Sequence, residues 1–269
     1  MVATPIGNLT DISKRALEVL ANVSCILAED TRHSKRLLNH YGIRTRLRAC
    51  HDHNEAEQVG WLCAQLESGV DIALISDAGT PLISDPGYVL VSQLRKRSFR
   101  VQCVPGPSAI VAALSVAGLP TDRFVFDGFL PAKSAARQAA LAVYALEGRT
   151  VVLLESSHRI EACLVDIVSV LGPQRRVVLA RELTKKFETV LDGDAADLVQ
   201  RLKEDPDQTR GEFVLLIEGV TQPLKDDQEV LRMLQILMAE LPLKQAAALV
   251  ASLADRKKNE VYKLALSLK

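Results

Sequence analysis

The chain has 269 residues, 48% of them hydrophobic and 25% charged, a globular balance whose length suits two α/β domains better than one. Lys+Arg and Asp+Glu both number 33, so no global basic excess points to nucleic acid, and any polyanion site must be a local patch. Five scattered cysteines without a Cys-x-x-Cys, and no apolar run near the ~20 residues that span a bilayer, argue against a disulfide framework, a zinc site and a membrane span.

Short apolar runs alternate with amphipathic stretches, the pattern of parallel α/β architecture. Strands are expected at residues 2–4, 23–28, 70–75 and 100–104, with helices at 12–21, 55–67, 88–97 and 108–117. Together they make an N-terminal domain over residues 1–117. Gly118 and Pro120 then break the periodicity, so 118–122 reads as a linker. A second domain over 123–220 restarts with strands at 124–127, 150–154, 176–180, 188–191 and 212–218 and helices at 135–146, 160–171 and 195–203. Its strands crowd together late, which predicts antiparallel pairing and a mixed sheet. An acidic break at 225–229 precedes two or three helices in a C-terminal extension over 221–269, with a turn expected at 255–259. No basic-then-apolar leader opens the chain, so no secretory signal is expected and the cytoplasm is the expected location.

The densest anomaly is the run from Ser76 to Gly87, directly after the strand at 70–75. It holds two Gly, two Pro, two Asp, two Ser and a Thr. A plain turn needs about four residues, so this longer run reads as a ligand loop at the strand's C-terminal end, where open α/β sheets bind. Ser84 or Asp85 would cap the helix that follows. Thr4-Pro5-Ile6-Gly7-Asn8-Leu9 and Pro105-Gly106-Pro107-Ser108 are two more strand-to-helix junctions. Three such loops on one rim make a binding edge. In the second domain, Glu155 to Arg159, Arg181 to Lys185, and Gly211-Glu212 place charged residues at strand ends, although Arg181 and Glu182 read equally well as a structural ion pair. His51-Asp52-His53-Asn54-Glu55 has metal-ligand residue types, but it precedes a helix. Asp52 or Asn54 as N-cap, with glutamates in the first turn, explains it, and no metal is expected. Dinucleotide, P-loop and nucleophile-elbow motifs are absent.

The ordered motifs V-A-T-P-I-G-N-L-T-D-I-S, A-E-D-T-R-H-S, H-D-H-N-E, I-S-D-A-G-T-P-L-I-S-D-P-G-Y, V-P-G-P-S-A, D-R-F, G-F-L-P-A-K, E-S-S-H-R, A-R-E-L-T-K and G-E-F resemble those of the ribosomal RNA small subunit methyltransferase I family. That family is a branch of the tetrapyrrole methylase superfamily of S-adenosylmethionine enzymes. The resemblance runs from residue 2 to about 219, and residues 240–268 resemble its helical C-terminus. It implies a two-domain tetrapyrrole-methylase-like α/β fold, parallel in the N-terminal domain and mixed in the second, plus a helical C-terminal extension. It also implies a homodimer, S-adenosylmethionine folded between the domains, and 2′-O-methylation of a cytidine in the decoding region of 16S ribosomal RNA within the small ribosomal subunit. Cofactor contacts are implied at Ile6, Asn8, Asp77, Ala78, Gly79, Thr80, Ile83, Ser108 and Ala109, with Leu154, Glu155, Ala180 and Glu212 from the second domain. The superfamily's Gly-Asp-Pro loop corresponds to Gly79-Thr80-Pro81, which lacks the acid; Asp77 is the residue to substitute for it.

Methyl transfer from a sulfonium asks mainly for alignment, which can supply ~7–11 kcal/mol of barrier lowering. A general base would add ~10²–10⁴-fold. Glu155, Glu182 and Asp30 are candidates for it, with Lys133 or Arg159 to orient phosphate, and each reads equally well as part of an ordinary ion pair. Charge for RNA is local. Arg32, Lys35, Arg36, Arg44, Arg46 and Arg48 fall in a stretch without an acid. The first three share a helix face if a helix starts near Thr31, and the last three share one side of an extended segment. The tail adds basic residues, Lys257 and Lys258 among them, and its segments at 243–254 and 259–268 read as a helix-turn-helix. Two other readings stand beside this one: a corrinoid-precursor methylase of the same fold, and a non-catalytic ribosome-binding protein.

Overall fold

A computed structural model describes residues 1–51, 54–220, 227–254 and 256–268. The chain divides into a larger unit, residues 1–145 and 149–218, and a smaller one, 146–148 and 219–269.

The larger unit begins with α1 (Lys14–Asn22), β1 (Cys25–Ala28), α2 (Thr31–His40), β2 (Leu47–Ala49), α3 (Glu55–Glu67), β3 (Ile72–Ile75), α4 (Tyr88–Lys96) and α5 (Ala109–Val116). The three strands form a parallel sheet in the order β2-β1-β3. Side-chain alternation gives the sheet two apolar faces. Ile26, Ala28, Ala73 and Ile75 pack with Ala16, Leu20, Leu37 and Leu38, while Leu27 and Leu74 pack with Val59, Leu62, Leu90 and Leu94. The strands expected at 2–4 and 100–104 reduce to one parallel bridge, Val2 to Val104, with the Val2 N–H donating to the Leu74 carbonyl at 3.0 Å. Pro5 and Pro105 lie just beyond it and cannot donate to a ladder.

The cap of α4 is not local. The N-cap of α4 is Gly87, not Ser84 or Asp85, and makes no side-chain cap bond. Instead the Leu90 N–H donates to the buried Glu55 carboxylate at 2.8 Å. A partner 35 residues upstream satisfies the orphan donor. Asn54 does stand at the N-cap of α3, but its Oδ1 accepts from the His51 N–H. Asp52 and His53 lie outside the described residues.

The unit continues with β4 (Phe124–Phe129), α6 (Ser134–Ala142), β5 (Thr150–Ser156), α7 (Ile160–Leu171), β6 (Arg176–Arg181), β7 (Thr189–Asp194), α8 (Ala195–Glu204) and β8 (Glu212–Ile217). The second sheet has the order β4-β5-β8-β6-β7 and is mixed, as expected: β4 and β5 run parallel and the other neighbours antiparallel. One face packs Val151, Leu153, Leu179 and Leu215 on Leu141, Leu164 and Leu198 of α6, α7 and α8. The other face, with Val152, Val178, Val214 and Leu216, is covered by Ile110, Ala113 and Leu114 of α5. A helix from the first half of the chain thus covers the second sheet. Between α6 and α7, Arg137 and Asp166 form a buried ion pair at 2.6 Å.

The smaller unit contains α9 (Asp227–Glu240), α10 (Leu243–Leu253) and α11 (Lys258–Leu266), packed through Val230, Leu234, Ala247, Val250, Val261 and Ala265. Residues 221–226 and Asp255 lie outside the described residues; of the break expected at 225–229, residues 227–229 open α9 instead, and of the turn expected at 255–259, residues 258 and 259 open α11. Among the described residues no helix is long and apolar enough to cross a membrane. Cys25, Cys50, Cys63 and Cys163 are buried free thiols, whereas Cys103 is exposed.

Candidate functional site

The strand ends of both sheets converge on one cavity of about 420 Å³ in the larger unit. From the first sheet come Ile6 after the opening bridge, Glu29 after β1, and the loop after β3. Ser108 and Ala109 join them at the start of α5. Of the thirteen residues read as cofactor contacts, Ile6, Asp77, Ala78, Gly79, Thr80, Ile83, Ser108, Ala109, Leu154, Glu155, Ala180 and Glu212 line this cavity. Asn8 does not. Its side chain accepts from the Thr10 N–H and caps a short 3₁₀ turn, while its own N–H donates to Thr184 Oγ1 at 3.1 Å.

The loop after β3 is held in shape by backbone pairing. Gly79 forms an antiparallel bridge with Thr4, with hydrogen bonds of 2.9 and 3.0 Å in the two directions. Its φ of +80° lies in the left-handed region that favours glycine. Thr80 Oγ1 donates to the Pro107 carbonyl at 3.1 Å, tying this loop to the third one. Asp77 Oδ1 accepts the Asp30 N–H at 3.0 Å and so fixes the segment after β1. The three loops read from the sequence therefore form one bonded rim.

Across the cavity, the segment from Arg181 to Lys185 closes against the first rim. Gly7 makes that possible: a Cβ there would sit 2.5 Å from Lys185 Cγ and 2.8 Å from Thr184 Oγ1. Lys185 Nζ bridges Glu182 and Glu212, donating to each at 2.8 Å, and the Glu212 N–H donates to Glu182 Oε1 at 2.9 Å. Burial alone would raise the Glu182 pKa, but these hydrogen bonds and the nearby cations outweigh it and hold the carboxyl below its usual range. Arg181 and Glu182 are not partners; Arg181 donates to the Arg210, Phe187 and Asp207 carbonyls.

The other candidates for chemistry separate by position. Glu155 contributes to the lining, but its Oε1 accepts from the Ser156 N–H at 2.8 Å and from Arg159 Nε at 2.7 Å, so its carboxylate organises the turn into α7. Asp30 caps α2 and pairs with Arg32 at 3.0 Å. Hydrogen bonds from the Arg32 side chain and N–H hold its pKa down to about 2. Lys133 is exposed at the N-cap of α6. Glu29, Asp85, Phe129 and Lys185 also line the cavity; none was among the expected contacts, although all four lie inside the ordered motifs. Six acidic residues and one lysine line the cavity. Their fields favour a cationic ligand and oppose a phosphate. Among the described residues, no group of three or more His, Cys, Asp or Glu side chains is placed to hold a metal ion.

A second concavity, of about 440 Å³, lies between α2 and β2 and is lined by Arg32, Lys35 and Arg44 together with Thr31, Asn39 and Thr45. The helix begins at Thr31 with Asp30 as its cap, as the charge spacing required, and Arg36 is exposed on it. The extended array is only partly as expected. Regular strand begins at Leu47, so alternation does not reach back to Arg44, which joins the groove while Arg46 does not. Arg48 turns to Gln58 Oε1 at 2.5 Å and stacks 4.1 Å from the Trp61 ring centroid. In the smaller unit Lys257 and Lys258 are exposed at the start of α11.

The family model Tetrapyrrole (Corrin/Porphyrin) Methylases matches residues 1–199, and the RsmI C-terminal HTH domain matches residues 225–269. The ribosomal RNA small subunit methyltransferase I of Pseudomonas aeruginosa is 52% identical over 269 residues, covering 99% of this chain and 95% of that relative. The protein of the same name from Escherichia coli O157:H7 is 54% identical over 267 residues, covering 99% and 93%. In fold, uroporphyrin-III-C-methyltransferase from Thermus thermophilus superposes with a TM-score of 0.54 at 20% identity, over 81% of this chain and 92% of that one.

Proposed function

The chain belongs to the tetrapyrrole methylase family, in its ribosomal RNA small subunit methyltransferase I branch, and from that premise we propose that it transfers a methyl group from S-adenosylmethionine to 16S ribosomal RNA. The acceptor is a cytidine ribose 2′-hydroxyl in the decoding region, reached in the cytoplasm by a homodimer acting on the small ribosomal subunit. The observation that carries this reading is the charge of the cavity at the joined strand ends: acids dominate a lining that also offers the apolar Ile6, Ile83, Leu154 and Leu183. That combination fits a sulfonium donor, which supplies an activated methyl group when bound.

The chain's own work is alignment. The Thr4–Gly79 bridge and the Thr80–Pro107 bond fix the first rim, and the Lys185 bridge fixes the second. Glu182 and Asp30 are both held acidic, which makes them weak bases. Positioning worth ~7–11 kcal/mol exceeds the ~10²–10⁴-fold that a general base adds, so alignment takes the larger share. The groove of Arg32, Lys35 and Arg44, whose lining has no acid, supplies phosphate contacts, with Arg36 and Arg46 exposed nearby in the chain. Lys133, Arg159, Lys257 and Lys258 are further cations for RNA.

The test supplies methyl-labelled S-adenosylmethionine and small subunits from cells lacking this modification. Label should enter 16S RNA, in a dinucleotide that resists alkali because the 2′-hydroxyl that alkali uses is blocked. Label on a corrinoid precursor and not on RNA would favour the tetrapyrrole reading. Absence of donor binding by calorimetry would favour a non-catalytic binding protein.

A further inference from the structure

Phe129 is one of three exposed phenylalanines, and the one among them at the cavity. It ends β4 at 57% exposure, in a chain with only six phenylalanines, and it lines the cavity instead of joining a core. The backbone is distorted to put it there. The β4–β5 register shifts between Phe126 and Phe129, across Gly128 at φ +62°. β4 is an edge strand, and a bulge at such an edge re-aims the side chains beside it. A Cβ on Gly128 would lie 3.3 Å from Ser84 Oγ, so the bulge abuts the loop after β3. Within that loop Ile83, 45% exposed, is flanked by Leu82 and Ser84 at φ +75° and +64°. Non-glycine residues rarely adopt that conformation, and such strain clusters at functional sites. Ile83 and Phe129 are the two large apolar side chains of the lining that stand exposed, both on distorted backbone.

We propose that Phe129 is the stacking platform for a nucleobase of the RNA substrate, unstacked from its neighbours and brought to the cavity mouth; this rests on the methyltransferase reading above. A nucleotide inside folded RNA must leave its stack before its ribose can reach a buried donor, and an aromatic ring then replaces one lost stacking face. The acidic lining disfavours a phosphate in the cavity but leaves an uncharged base unopposed. Lys133, exposed four residues after Phe129, supplies a cation for the flanking phosphate outside it.

The test compares Phe129→Ala, Phe129→Leu and Phe129→Trp with the unmodified chain. Each is assayed for methyl transfer to unmethylated small subunits, for S-adenosylmethionine affinity by calorimetry, and for melting temperature. Phe129→Ala should lose about ten- to hundredfold in kcat/KM for the RNA, the range of one base stack. Donor affinity and melting temperature should hold, Phe129→Trp should keep wild-type transfer, and Phe129→Leu should stay deficient. Wild-type transfer by the Ala variant, a parallel loss of donor affinity, or full rescue by Leu would each overturn the platform. If the unmodified chain transfers no methyl to RNA, the parent reading fails and takes the platform with it. Normal transfer by both the unmodified chain and the Ala variant sinks the platform alone.

Discussion

The larger unit carries two concavities of similar volume, about 420 and 440 Å³, whose linings have opposite charge. The cavity at the strand ends has six acidic residues and one lysine, while the groove between α2 and β2 has Arg32, Lys35 and Arg44 and no acid. A net charge of zero averages over both and reveals neither. The difference teaches that a neutral total can hide neighbouring linings of opposite sign, here joined through Asp30, which pairs with Arg32 of the groove and donates its N–H to Asp77 of the cavity. At physiological ionic strength charges separated by more than about 8 Å are largely screened from one another at an exposed surface, so local placement matters more than the total.

The largest expected effect comes from blocking the cavity without touching its charge. Gly79→Val puts a β-branched residue at φ +80°, where it is a steric outlier, and adds bulk beside Ile6. S-adenosylmethionine affinity measured by calorimetry should fall more than about a hundredfold. Left-handed strain of about 1–2 kcal/mol should lower the melting temperature by several degrees without unfolding the chain. RNA affinity should stay near wild type; a parallel loss of RNA binding would mean that the two concavities do not act separately.

A smaller effect should follow from changing the charge of the cavity and not its shape. Glu182→Gln combined with Glu212→Gln removes two acids from the lining and should weaken S-adenosylmethionine about three- to tenfold at low salt, as expected for charges several ångströms away across partly wet space. The demethylated thioether product lacks the sulfonium charge and should change by less than about twofold. Equal losses for both ligands would show that the two glutamates act through shape.

The smallest effect concerns the border between the regions. The Asp30 pKa is held to about 2, below the ordinary 3.8, so its contribution to stability is fully present above about pH 4 and is lost as pH falls toward 2. Asp30→Asn keeps a capping side chain but loses the charged Arg32 partner. Melting curves between pH 2 and pH 7 should show a shallower acid limb for this variant. An unchanged acid limb would remove Asp30 from the acid response.

Much of the cavity was legible in the sequence because its rim is built from short loops of unusual composition, each at the end of a recognisable strand. Asp77, Gly79, Ser108 and Ala109 follow from that rule. The second-sheet contacts came from resemblance, since Leu154 and Ala180 look like any buried strand residues. What escaped was non-local. The cap on Leu90 comes from Glu55, Asn8 is occupied by its own turn, and α5 crosses to cover the second sheet. Phe129 falls beyond the strand expected at 124–127, because that strand continues to Phe129 through a register shift that periodicity does not show. The basic array was half legible: helix periodicity placed Arg32 and Lys35, but the late start of β2 and the stack on Trp61 redirected Arg46 and Arg48.

The division of labour is tested most directly by one triple variant, Arg32→Gln, Lys35→Gln and Arg36→Gln, titrated with small-subunit RNA and with S-adenosylmethionine over a range of salt. Removing one cation that pairs with an RNA phosphate should reduce the slope of log affinity against log salt by about 0.7–0.9. The account predicts a slope shallower by about 2–3 for RNA, with donor affinity within about twofold of wild type at every salt concentration. An unchanged RNA slope, or a donor affinity that falls together with the RNA affinity, would contradict it.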